Sequence, residues 1–151
     1  TSTKTTLIIK TPESSSKHVS NQPVSLVDMY PTLVKMAGLP ENPLNEGHDI
    51  TPLITNPNAD WEHVALTTFG PNNHAVKNER FRYIRYEDGS EELYDHSTDP
   101  NEWNNLASNP FYSDVKDRLK AKLPRENANW SPVSQFKSNS YFKTLTEANH
   151  N

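Results

Sequence analysis

Apolar positions come in short sets separated by polar and proline-rich stretches. Residues 5–10 (TTLIIK) are β-branched and apolar without alternation, which predicts a strand buried on both faces, as in a helix-covered parallel sheet. Residues 11–22 hold Thr-Pro, three serines and Ser-Asn, and predict loop. Residues 23–28 form a short extended entry, with Asp28 as an N-cap. Tyr30, Leu33, Val34 and Ala37 recur at i, i+3, i+4 and i+7, which predicts a helix over 29–37 with Pro31 in its first turn and Gly38 as its stop. Residues 39–60 carry four prolines and one apolar patch at 50–54, a surface connection with a single helical turn.

The pattern then becomes more regular. Residues 63–69 alternate loosely and end at Gly70-Pro71-Asn72, a strong turn signal. Residues 73–77 and 81–86 (FRYIRY) predict two more strands, Asp88-Gly89 signals a hairpin, and 92–95 returns as a fourth strand. Four short strands with tight turns predict an antiparallel meander. Phe111, Val115, Leu119 and Leu123 fall at i+4 spacing and predict a helix over 109–123 that covers one face of it. Residues 124–151 show no periodicity, only Trp130, Phe136, Tyr141 and Phe142, and predict an irregular tail. No internal repeat is evident.

Composition narrows the classes. The 151 residues are 32% hydrophobic, a low share that predicts a thin core and a chain partly supported by something outside it. The longest apolar runs are tripeptides such as Leu7-Ile8-Ile9, far short of the roughly 18 residues of a membrane span, so a transmembrane protein is not expected. Fifteen Lys and Arg against 19 Asp and Glu give a net charge of -4 without a basic face, which argues against nucleic acid. There is no cysteine, so disulfides, thiolate zinc sites and cysteine nucleophiles are excluded. Twelve prolines and 17 asparagines mark a loop-rich chain. It opens at Thr1 without an initiator methionine or a signal-peptide pattern, so a fragment of a larger fold is expected.

Candidate chemistry is thin. The six histidines (18, 48, 63, 74, 96 and 150) form no HxH, HxxxH or HExxH pair, and turn or surface roles are expected. Glu87, Asp88, Glu91, Glu92 and Asp95 predict a solvated hairpin tip, with Arg80, Arg82 and Arg85 pairing across strands. Arg82 shares a face with Ile84 and Tyr86, whereas Arg85 shares the other with Phe81 and Tyr83, so the three make no single anion clamp. Tyr83 and Tyr86 are expected in the core. Four glycines leave no phosphate-cradling loop, and Asn129-Trp130-Ser131 is a formal glycosylation acceptor weakened by Pro132. From these features alone the chain is a small α+β module.

Several segments together resemble one family. Residues 23–33 (PVSLVDMYPTL), running to Ala37-Gly38-Leu39-Pro40, are similar to a segment of type I sulfatases, and the 7–12 stretch resembles the buried strand before it. Residues 47–54 (GHDITPLI) resemble the turn that follows there. Glu92-Leu93-Tyr94-Asp95, then Asp99-Pro100-Asn101-Glu102, then Asn105-Leu106-Ala107 is similar to the ELYDxxxDPxExxNLA signature near sulfatase C-termini. Residues 81–86 occupy the place of a strand of iduronate-2-sulfatase-like members. The likeness runs in unbroken order from about residue 5 to 107.

The resemblance implies the alkaline-phosphatase-like α/β fold, of which this chain is the C-terminal fragment. Residues 1–60 would end the large α/β domain, 61–123 would form the C-terminal α+β subdomain with a four-stranded antiparallel sheet packed by one helix, and 124–151 would be the tail. It implies sulfate-ester hydrolysis, on sulfated carbohydrates, in a periplasmic, secreted or lysosomal enzyme. Formylglycine and calcium are expected in the complete enzyme and neither in this chain. No C/S-x-P/A-S-R motif, Asp-Asp pair or Asp-His-Gly segment occurs here, and Lys4 lies too close to the 5–10 segment to stand for the family's late lysine. The expected partners are the missing N-terminal catalytic portion and a sulfated carbohydrate, with no nucleic acid and no membrane; the chain alone is expected to be inactive. What remains is the pocket rim. Gly70-Pro71-Asn72-Asn73-His74 resembles a turn of some members, which makes Asn73 and His74 the candidate substrate-binding residues. Lys77 stands where arginine is commoner, a point charge in place of a planar fork. The alternatives are a free-standing carbohydrate-binding or interaction module, or a phosphoesterase or phosphonate hydrolase of the same superfamily.

Overall fold

The computed structural model describes residues 4–14 and 16–129, so the expectations for Trp130, Phe136, Tyr141, Phe142 and the glycosylation acceptor lie outside the described residues. A 3-10 turn, Leu26–Asp28, leads into helix α1, Met29–Met36, and a short helix α2 spans Thr51–Thr55. Strands β1 (Ala65–Thr68), β2 (His74–Lys77), β3 (Phe81–Arg85) and β4 (Glu91–Asp95) follow, and a second 3-10 turn, Pro110–Tyr112, opens helix α3, Ser113–Lys120.

The strands form one antiparallel sheet in the order β1-β2-β3-β4, the meander that the alternation predicts. Its register explains the core. Leu66, Val76, Tyr83 and Leu93 pair directly across the four strands, and Val76, Tyr83 and Leu93 are wholly buried. Leu119 of α3 and Leu123 just beyond it close over this row, with Phe81 completing the cluster. Side chains two positions away share the same face, because strand side chains alternate. The rows Thr68–His74–Arg85–Glu91 and Phe81–Asp95 therefore also face α3, while Lys77–Arg82–Tyr94 and Ala75–Ile84–Glu92 face away.

Several expectations need correction. Residues 5–10 form no strand and leave Ile8 85% exposed, because no strand among the described residues pairs with this stretch. The 23–28 entry is extended only to Ser25. From there Asp28 Oδ2 accepts from Ser25 N at 2.7 Å and winds residues 26–28 into the 3-10 turn. The helix expected over 109–123 is α-helical only from 113 to 120. Asn109 Oδ1 accepts from Phe111 N and starts a 3-10 turn that swings Phe111 out to 85% exposure. Tyr86 is not core but partly exposed at the hairpin edge.

The acidic hairpin is also not uniformly solvated. Asp95 is fully buried and held by Arg80 (Nε–Oδ1 2.9 Å, Nη2–Oδ2 2.6 Å), so its carboxyl stays well below the usual range. That pair fulfils the cross-strand expectation for Arg80. Arg82 instead reaches outside the hairpin to Glu102 at 2.8 Å.

Helix α1 packs little of its apolar stripe. Thr32 and Val34 are buried, but Tyr30, Leu33 and Met36 are exposed, together with Leu26, Val27 and Leu39. The loop at 45–49 is clamped beneath the 3-10 turn, where Asp28 Oδ1 accepts from His48 N at 2.8 Å and Thr32 Oγ1 accepts from Ile50 N at 3.0 Å. Trp61 Nε1 donates to Pro23 O at 3.2 Å and ties this helical part to the chain entering β1.

Candidate functional site

The turn between β1 and β2 is built from residues that tolerate left-handed backbone. Gly70 (φ 68°) and Asn72 (φ 62°) both occupy that region, and Phe69 N donates to Asn73 O at 2.9 Å to close the loop. Asn73 Nδ2 donates to Pro71 O at 3.0 Å, and its Oδ1 accepts from Glu87 N at 3.1 Å, linking this turn to the β3–β4 hairpin. An amide of this kind keeps one N–H and one lone pair for a further partner.

His74 is 3% exposed, on the face that α3 covers. Its Nδ1 lies 2.9 Å from Thr68 Oγ1 and its Nε2 lies 2.7 Å from Asn127 Oδ1. Asn127 Oδ1 also accepts from Asn72 N at 2.9 Å, and Asn127 Nδ2 donates to Asn72 Oδ1 at 3.0 Å. The amide orientation makes Oδ1 an acceptor, so His74 donates from Nε2, and its Nδ1 is paired with the Thr68 hydroxyl. The two candidate residues thus share one turn, but in different settings: Asn73 half-buried at its tip, His74 inside with both ring nitrogens engaged. This departs from the turn or surface role expected of the histidines: strand alternation puts His74 on the face of the core residue Val76, two positions on.

On the opposite face lies a charged network that sequence reading missed. Lys77 Nζ meets His96 Nδ1, His96 Nε2 lies 2.6 Å from Glu102 Oε1, and Glu102 Oε2 accepts from Arg82 Nη2 at 2.8 Å. Burial pushes the Lys77 amine below its ordinary value, and Arg82 Nε is buried without a hydrogen-bond partner. Glu102 lies within the quoted DPNE stretch, so the motif marked it without showing what its carboxylate touches. A third feature joins distant segments: the His48 and His63 rings stack at 3.6 Å, and Trp61 meets His63 edge-on at 4.7 Å.

Among the described residues no cluster of three or more His, Asp or Glu could hold a metal ion. No helix among them is long and apolar enough to cross a membrane.

Comparison with known proteins agrees with this architecture. The profile of the family described as N-sulphoglucosamine sulphohydrolase, C-terminal, matches residues 1–129. A sulfatase of Formosa agariphila is 42% identical over 120 residues, covering 80% of this chain and 24% of that protein. A Delta 4,5-hexuronate-2-O-sulfatase of Bacteroides thetaiotaomicron is 31% identical over 118 residues, covering 70% of this chain and 24% of its own length. A solved 2-O GAG sulfatase superposes with a TM-score of 0.52 at 28% identity, over 62% of this chain and 22% of that one. The chain spans about a quarter of the length of the curated relatives it matches.

Proposed function

This chain belongs to the N-sulphoglucosamine sulphohydrolase, C-terminal family, and we propose that it serves as the C-terminal portion of a larger enzyme hydrolysing sulfate esters of sulfated carbohydrates. The match over residues 1–129 carries the reading. The exposed apolar stripe of α1 supports it, since a face of Tyr30, Leu33 and Met36 beside Leu26 and Val27 is the kind that packs against another part of the same protein. In this reading residues 1–60 complete the large α/β domain, 61–123 form the C-terminal subdomain, and 124–151 are its tail. Formylglycine and calcium would belong to the rest of the enzyme, where the sulfate is attacked. The periplasm, the exterior or the lysosome is the setting that fits.

This portion supplies shape and not a nucleophile. The turn carrying Asn73 and His74 is assigned to the rim of the pocket, where the free N–H and lone pair of Asn73 suit a sugar hydroxyl. His74→Ala should weaken kcat/KM on a sulfated oligosaccharide more than on a small aryl sulfate, which makes no rim contact.

The test is sulfate release by the whole enzyme, followed by ion chromatography on sulfated glycans, an aryl sulfate and a phosphonate monoester. Sulfate from the glycans is expected. Preference for the phosphonate monoester would transfer the protein to the phosphonate-hydrolase reading, and glycan binding without hydrolysis to the binding-module reading.

A further inference from the structure

We infer that Asn127 is a positioning residue for the substrate-facing turn, holding Asn73 in place from beyond the far end of α3; the inference rests on the assignment of the 70–74 turn to the pocket rim. Three bonds converge on this one amide. Its Oδ1 accepts from Asn72 N at 2.9 Å and from His74 Nε2 at 2.7 Å, and its Nδ2 donates to Asn72 Oδ1 at 3.0 Å. Both polar atoms of the side chain are engaged with the turn, and the bonds span 53 and 55 residues of sequence.

The turn needs such a tie. Asn72 sits at φ 62°, a left-handed conformation that asparagine tolerates and that bonds from outside the turn hold in place. β1, on one side of the turn, is an edge strand with Leu66, Thr67 and Thr68 exposed, so neighbouring side chains restrain the loop little. Asn127 bonds both backbone and side chain of Asn72, and through His74 it reaches Thr68 at the end of β1. Asn73 follows directly: its amide is held by Pro71 O and Glu87 N and its carbonyl by Phe69 N, so the lock acts on the backbone that carries Asn73 between Asn72 and His74. His74 acts here as the inner member of the lock, because both ring nitrogens are already engaged.

The test uses the whole enzyme with Asn127→Leu, which keeps the branched shape and removes all three bonds, Asn127→Asp, which keeps the acceptor oxygen, and Asn127→Ser, which falls short of the turn without adding bulk. Two readouts are taken: hydrogen exchange of the 69–75 peptide against the 81–95 peptide, and KM and kcat on a sulfated oligosaccharide and an aryl sulfate. Asn127→Leu and Asn127→Ser should speed exchange in 69–75 alone and raise KM for the oligosaccharide about tenfold, leaving the aryl sulfate within about twofold. Asn127→Asp should recover most of both effects. Unchanged exchange at 69–75 in Asn127→Leu and Asn127→Ser overturns the lock. Faster exchange with equal losses on both substrates, or with no loss on either, overturns the positioning role. If Asn127→Leu also loses protection at 81–95, Asn127→Ser decides. A wild-type enzyme that releases no sulfate refutes the proposed function instead, and the exchange data still judge the lock.

Discussion

The Tyr83 hydroxyl donates to Glu91 Oε1 at 2.6 Å, beneath α3 and at the edge of the core. Lys120 donates to the same oxygen at 2.9 Å, and Lys116 to Oε2 at 3.0 Å. The phenol bond and the two ammonium groups hold the Glu91 carboxyl down at about 2, while burial and the same bond push the Tyr83 phenol up. A carboxylate at the start of β4 thereby fastens the covering helix to the sheet.

A depressed carboxyl contributes stability that is present above its unfolded value, 4.5, and is lost as pH falls toward about 2. Glu91→Gln should cost about 1–3 kcal/mol at neutral pH, because Lys116 and Lys120 lose their anion. The gap in melting temperature between wild type and variant should shrink as pH drops from 4.5 toward 2. A gap that stays constant would show that the ionised form of Glu91 contributes nothing.

Leu93 is wholly buried in the row with Val76 and Tyr83, whereas Leu33 on α1 is 58% exposed. Leu93→Ala should cost about 3 kcal/mol in urea unfolding of the isolated chain. Leu33→Ala should stay within about 0.5 kcal/mol of wild type there. Comparable losses at the two positions would mean that α1 packs its stripe within the chain.

At Gly47 an added Cβ would lie 2.2 Å from Val27 O, against backbone that cannot step aside. Gly47→Ala should therefore cost roughly 1–3 kcal/mol and break the His48 N bond to Asp28. Gly38→Ala meets open space and pays only for its φ of 64°, about 1 kcal/mol. Equal melting temperatures for the two variants would contradict the clamp.

His63 stacks on His48, and burial first, then the neighbouring His48 and Lys122, lower its pKa from 6.5. A histidine held neutral in the fold contributes stability above 6.5 that is lost as pH falls below it. Its ring resonance in a proton NMR titration should show a midpoint below 6.5. A midpoint at or above that value would mean that the stack does not exclude charge.

The meander was legible because its signals are local. Alternation sets the faces, and Gly70 and Gly89 sit at positive φ where the turns require it. The turn between β1 and β2 was legible in the same way, as Gly-Pro-Asn-Asn-His. Other features depend on partners remote in sequence. Nothing near His74 announces Asn127, and nothing near Arg82 announces Glu102, because each pair meets only once the sheet has formed. Residues 5–10 show the converse. Their composition fits a strand buried on both faces, but a strand exists only with a neighbour to bond, and among the described residues none pairs with them.

The most direct measurement is reconstitution. The 151-residue chain is mixed with the separately produced catalytic portion of the proposed enzyme, and sulfate release from a sulfated glycan is followed over time. The chain alone should release none, the mixture should release sulfate, and a chain carrying Leu33→Asp should fail to restore activity while its own sheet remains folded by circular dichroism. Sulfate release by the chain alone, or full restoration by Leu33→Asp, would contradict the account of a C-terminal portion seated through the exposed face of α1.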